Sequence, residues 1–200
     1  TSDYNGGRQE GFGPADMTVY KGRRWSSANA YLKPAMKRGN VTLMTGALVE
    51  RLLFDGTRCI GVRFCHKGKQ QDILAGKDII LSAGAIGSPA ILQRSGIGPA
   101  KLLRSHGIDV IADRAGVGAN LQDHLEVYFQ IACTQPITLY KHLNFFSKAL
   151  IGARWLFFSS GLGASNQFET VGFIRSDKEI PYPDIQYHFL PVAIRYDGTA

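Results

Sequence analysis

Apolar residues fall into three patterns along the 200-residue chain, and each predicts a different kind of element. The first runs through "VTLMTGALVERLLFDGTRCIGVRFC", residues 41–65, where short β-branched and aliphatic runs break at Asp55-Gly56. That dipeptide between apolar segments predicts a hairpin. A polar turn, "KGKQQ", and a third strand, "DILAG", complete an antiparallel meander. The second pattern is continuous: Ile79, Ile80 and Leu81 in "KDIILSAG" read as a strand buried on both faces of an α/β sheet. A helix follows, with Ser88 as its expected cap, Pro89 at its first position and Gly96 as its stop. "PAKLLRSHG" reads as a second helix opened by Pro99 and closed by Gly107, and "IDVIAD" as a returning strand. In the third pattern, Leu143–Phe158 is helical, with Phe146, Leu150, Ala153 and Phe157 on one face.

Strands "LEVYFQIAC", "FETVGFIRS" and "DIQYHFLPVAI" surround that helix. In the last of them Gln186, His188 and Leu190 share one face, and Tyr187 and Phe189 the other. Residues 1–22 read as a Gly-rich loop. "SSANAYLKPAMKRGN" reads as a short helix capped by Ser26 or Ser27 and ended by Gly39-Asn40. The boundary between the α/β part and the antiparallel part is expected near "GVGANLQDH", residues 116–124.

Composition adds that the chain is globular, with 44% hydrophobic and 20% charged residues. No apolar run reaches the roughly 18 residues of a membrane span, and the N-terminal stretch lacks the apolar core of a signal peptide. A cytoplasmic or peripherally membrane-associated protein is expected. The net charge is +7, and residues 1–100 hold fourteen Lys/Arg against seven Asp/Glu. A basic nucleic-acid-binding domain would have this balance, and it would bind generic DNA in a salt-dependent way. No groove-reading helix or stacking motif accompanies the charge, and no basic run exceeds two residues, so no nucleic-acid partner is expected. Cys59, Cys65 and Cys133 form no C-x-x-C pair; their odd number fits a reducing compartment and packing roles.

Motif chemistry is mostly exclusion. "GFGPAD", "GIGPAK", "GVGANL" and "GLGASN" each begin G-x-G and lack the third glycine of a dinucleotide fingerprint. No G-K-[ST] loop is present, "GASNQ" is not a nucleophile elbow, and "HLE" has no P-C-x-x-C after it. The five histidines are scattered without metal-ligand spacing, so no metal is expected. From the residues alone, a layered α/β piece joins an antiparallel sheet, without a self-contained active site.

One stretch goes further. "GAIGSPAILQRSGIG", residues 84–98, resembles position for position the second signature of the glucose–methanol–choline family of flavin oxidoreductases. The similarity extends through "QEGFGPADMTVYKGRRWSSANAYL", "LLFDGTRCIGV", "GVGANLQDHLE", "GASNQFETVGFIRS" and "PDIQYHFLPVAI", and it points to the choline-oxidising members. The resemblance implies α/β plus α+β architecture: residues 1–120 as part of a Rossmann-like FAD-binding domain with a β-meander, and residues 121–200 as part of an antiparallel-sheet substrate domain. It implies FAD as cofactor, choline or another small primary alcohol as substrate, and an electron acceptor left open. The family's fingerprint and catalytic histidine have no counterpart here, so an internal section without catalytic residues, inactive by itself, is expected.

Residue by residue, the resemblance puts Val49 at the position whose backbone holds the adenine. It puts Ser82, Ala83, Gly84 and Ala85 beside the cofactor, where small residues permit close approach. Glu126 stands where a carboxylate faces the trimethylammonium group, a charge that gains from a nearby anion. His188 matches a histidine that helps position the alcohol. Phe145 and Phe146 replace an aromatic pair and offer cation–π contact, with at least one of them expected in the helix core. Asp123 and His124 are expected to be structural.

Overall fold

The computed structural model describes residues 6–193. Residues 1–5 of the Gly-rich loop, and Ile194 at the end of the last expected strand, lie outside them. In chain order the elements begin with β1 (Gly11–Pro14), β2 (Val19–Tyr20), β3 (Arg23–Arg24), α1 (Lys33–Met36), β4 (Ala47–Asp55), β5 (Arg58–His66) and β6 (Lys69–Leu74). They continue with α2 (Gly84–Arg94), β7 (Ile97–Gly98), α3 (Ala100–Ser105), β8 (Ala112–Asp113), α4 (Phe145–Phe158), β9 (Thr170–Ile174) and β10 (Ile185–Phe189). They form two compact units: Thr42–Val127, and Thr1–Val41 together with Tyr128–Ala200.

In the first of these, β4, β5 and β6 are the expected antiparallel meander. Gly56 turns the first hairpin at φ +57°, and Lys67 and Gly68, at φ +53° and +74°, turn the second. Two successive positive φ values match the twist of the flanking strands. The strand therefore starts at Lys69, earlier than "KGKQQ" suggested. Arg63 and Asp72, paired in register, close a two-pronged ion pair at 2.7 Å for each prong. The Arg63 guanidinium, by hydrogen bond and by charge, holds the Asp72 carboxyl below its ordinary range. Leu52 and Phe64 of the meander are buried, as are Ile91 of α2 and Ala100 and Leu103 of α3.

Several expectations change here. Ile79–Leu81 is not in a strand, and Ile80 is 88% exposed. A parallel strand takes its ladder from neighbours on either side, and among the described residues none lies alongside. Ser88 does not cap α2, which starts at Gly84 and carries Pro89 inside it. Instead the Ser88 hydroxyl accepts the Ala83 N–H at 2.9 Å, one of the amides a helix start leaves open. The stop at Gly96 (φ +87°) is as expected, as is α3 between Pro99 and Gly107. Of "IDVIAD" only Ala112–Asp113 pairs, in parallel with Ile97–Gly98.

In the second unit, β9 and β10 form where expected, and β1 joins β9 on the other side. The Gly-rich N-terminal stretch is thus a strand and a hairpin rather than loop alone. Val171 of the central strand β9 is buried. The register places His188 opposite Val171 and Tyr187 opposite Gly172. Asn144 caps α4, its Oδ1 accepting the Ser147 N–H at 2.9 Å. The face of α4 that packs is not the expected one: Phe146, Leu150 and Phe157 are exposed, whereas Ile151 and Trp155 turn inward beside Gly163. Trp155 Nε1 also donates to the Gly22 carbonyl at 2.8 Å. Gly22 sits at φ +69°, and a Cβ there would strike the Ser159 carbonyl. "LEVYFQIAC" forms no strand, with Leu125 97% and Ile131 90% exposed. Ser27 is helical and makes no side-chain cap; residues 28–32 form a widened turn leading into α1. No helix among the described residues is long and apolar enough to cross a membrane.

Candidate functional site

The residues expected at the cofactor lie at the two ends of α2. Val49 is half-buried in β4, paired with Phe64, just before a register shift between Val49 and Arg51. At that irregularity the last turn of α2 grips the strand. Arg94 donates Nε to the Glu50 carbonyl at 2.8 Å and Nη2 to the Val49 carbonyl at 3.4 Å. Ser95, itself buried, accepts the Leu52 N–H at 2.8 Å and donates to the Ile91 carbonyl at 2.5 Å. The turn Ser82–Ala85 lies at the other end, about 15 Å away at 1.5 Å per residue. It is exposed, Gly84 has φ +82°, and nothing lies within 4 Å of where a Gly84 Cβ would stand. Gly84 is thus needed for its backbone conformation.

Among the substrate candidates, Glu126 is exposed and belongs to the meander unit. Its neighbour Asp123 folds back to accept the His124 N–H at 2.8 Å. His188, Phe145 and Phe146 belong to the other unit. Phe145 and Phe146 meet edge to face at 5.8 Å and are 78% and 83% exposed, so neither is helix core. His188 stands edge to face with Phe168, ring centroids 5.6 Å apart.

Three residues of this geometry were not foreseen. Arg94 and Ser95 sit in the Gly-rich signature, whose glycines drew attention instead. A serine at the end of an apolar helix face is the signal that could have found Ser95. Phe168 carries no signal apart from its aromatic ring.

A sequence profile described as GMC oxidoreductase matches residues 1–126. The chain belongs to the GMC oxidoreductase family. It is 60% identical over all 200 residues to an oxygen-dependent choline dehydrogenase of Brucella anthropi, covering 36% of that protein. It is 54% identical over 200 residues to the protein of the same name from Stenotrophomonas maltophilia, again covering 36%. Among solved structures, a formate oxidase of Aspergillus oryzae matches with TM-score 0.77 and 25% identity, over 92% of this chain and 36% of that one. An FAD-dependent oxidoreductase of Chaetomium thermophilum matches with TM-score 0.65 and 30% identity, over 76% and 28%. This GMC chain thus spans about a third of the length of the curated relatives it matches. Its mixed architecture, with a meander and antiparallel sheets, is that of the family's FAD-binding oxidoreductases.

Proposed function

We propose that this chain is the central part of an FAD-dependent choline dehydrogenase that oxidises choline to betaine aldehyde, toward glycine betaine. The observation that carries the reading is identity of 54% and 60% to choline dehydrogenases over the whole of the chain. Residues 1–120 belong to the FAD-binding domain and residues 121–200 to the substrate domain. FAD fits the residues present. Val49 stands at the strand irregularity where Arg94 reaches its carbonyl, and the space at Gly84 is open. Val49 would hold the adenine through its main chain, and Ser82–Ala85 would line the cofactor at the far end of α2. When bound, the flavin supplies the hydride acceptor for the alcohol carbon.

Toward the substrate, Glu126 offers its carboxylate to the trimethylammonium group, which can donate no hydrogen bond and is recognised by charge alone. Phe145 and Phe146 offer aromatic faces on which a cation can pack, and His188 orients the hydroxyl. The test is Glu126→Gln in the full-length enzyme. The KM for choline rises about tenfold, equivalent to about 1.4 kcal/mol, while the KM for the uncharged isostere 3,3-dimethylbutan-1-ol stays put. An unchanged KM for choline would refute cation recognition and favour another primary alcohol as substrate.

A further inference from the structure

We infer that Phe168 is a positioning residue for His188, held in place by a strained turn built for that contact; this rests on the assignment of His188 to the alcohol site. The turn is Ser165–Asn166–Gln167. Gln167 has φ +68°, a conformation a glutamine rarely adopts. Three side-chain bonds keep it there. The Ser165 hydroxyl accepts the Gln167 N–H at 3.0 Å, and Asn166 Oδ1 accepts the Phe168 N–H at 3.0 Å. Gln167 Nε2 donates to the Leu162 carbonyl at 2.6 Å. That last bond fixes which way the amide points, because a flipped amide would set oxygen against oxygen. Gln167 Oε1 is then left buried with no partner among the described residues. A surface loop with no task would relax both the backbone and that oxygen.

What the conformation delivers is Phe168. Two residues ahead of β9, its ring meets the His188 imidazole at 5.6 Å with the planes 82° apart. His188 lies on an exposed stretch of β10, and its own strand leaves the second side-chain torsion broad. An edge-to-face aromatic neighbour selects one ring orientation. The imidazole's direction is therefore set across the sheet by Phe168.

The test is a double-mutant cycle in the full-length enzyme, with Phe168→Leu, His188→Ala and the pair. Phe168→Leu raises the KM for choline about three- to tenfold with kcat held within twofold, and Phe168→Tyr restores it. In the His188→Ala background Phe168→Leu adds nothing, because it acts through that ring. Equal effects in both backgrounds, or a fall in kcat at constant KM, would overturn the proposal. The His188 Cε1–H resonance gives a readout independent of catalysis: it shifts in Phe168→Leu as the neighbouring ring is lost, and an unmoved resonance overturns the contact. If His188→Ala leaves kcat/KM for choline unchanged, the site assignment fails whatever the resonance does. Phe168→Met serves in the same cycle should Phe168→Leu not fold.

Discussion

Ser95 holds two elements with one hydroxyl, accepting from the β4 backbone and donating to the α2 backbone. At 6% exposure it has no water to replace either partner. Ser95→Ala therefore leaves the Leu52 N–H without its acceptor, at a cost of about 1–3 kcal/mol. A urea melt reads this as a lower midpoint at unchanged slope; an unaltered midpoint would mean the strand is held by packing alone. Glycines separate in the same way, by what surrounds them. Gly22 and Gly39 both have positive φ, but only Gly22 also faces a backbone carbonyl where a side chain would stand. The sequence shows that glycine is permitted at both positions, and only the packed structure tells them apart.

At the scale of elements, the β9–β10 connection is locked by Asp184, whose carboxylate accepts the Ser176 N–H at 2.7 Å and the Ser176 hydroxyl at 2.6 Å. Those bonds, hydroxyl first, hold the Asp184 carboxyl below its ordinary value of 3.8. A lowered carboxyl stabilises the fold fully above its unfolded value, and that contribution is lost as pH falls through the folded one. Amide protection in residues 175–184, measured against the intrinsic exchange rate at each pH, is thus expected to fall below about pH 4, and Ser176→Ala to weaken that acid dependence. A flat profile from pH 5 to 2 would contradict the lock. The hairpin itself was legible, because both strands alternate and polar residues separate them. The packed face of α4 was not, because the helix is apolar nearly all round. With two candidate stripes, the choice fell to the side where Gly22 and Gly163 leave room for Trp155.

At the scale of the whole molecule, many large apolar side chains among the described residues face outward. Ile80, Leu125, Ile131, Phe146 and Phe157 are each at least 75% exposed. The 200-residue chain expressed by itself is expected to bind a hydrophobic dye and to sediment as concentration-dependent oligomers. A dye-silent monomer would show that these surfaces close on themselves. The same residues explain where sequence reading and structure part. Ile79–Leu81 and residues 125–133 have the composition of strands, but a strand exists only where another strand takes its hydrogen bonds. Family, cofactor class and meander were written locally, in turns and in the residues 84–98 signature. The direction of His188 was not, because it depends on a ring twenty residues away.

The grip of α2 on β4 carries one more consequence, for how this segment changes over generations. Eight helical residues, Ile86 to Gln93, separate the Ser82–Ala85 turn from the side chains that hold β4. Adding or removing one would swing Arg94 and Ser95 about 100° around the axis, away from the strand they bond. The number of residues between them is therefore fixed, and alignments of family members should show neither insertions nor deletions across Gly84–Ser95.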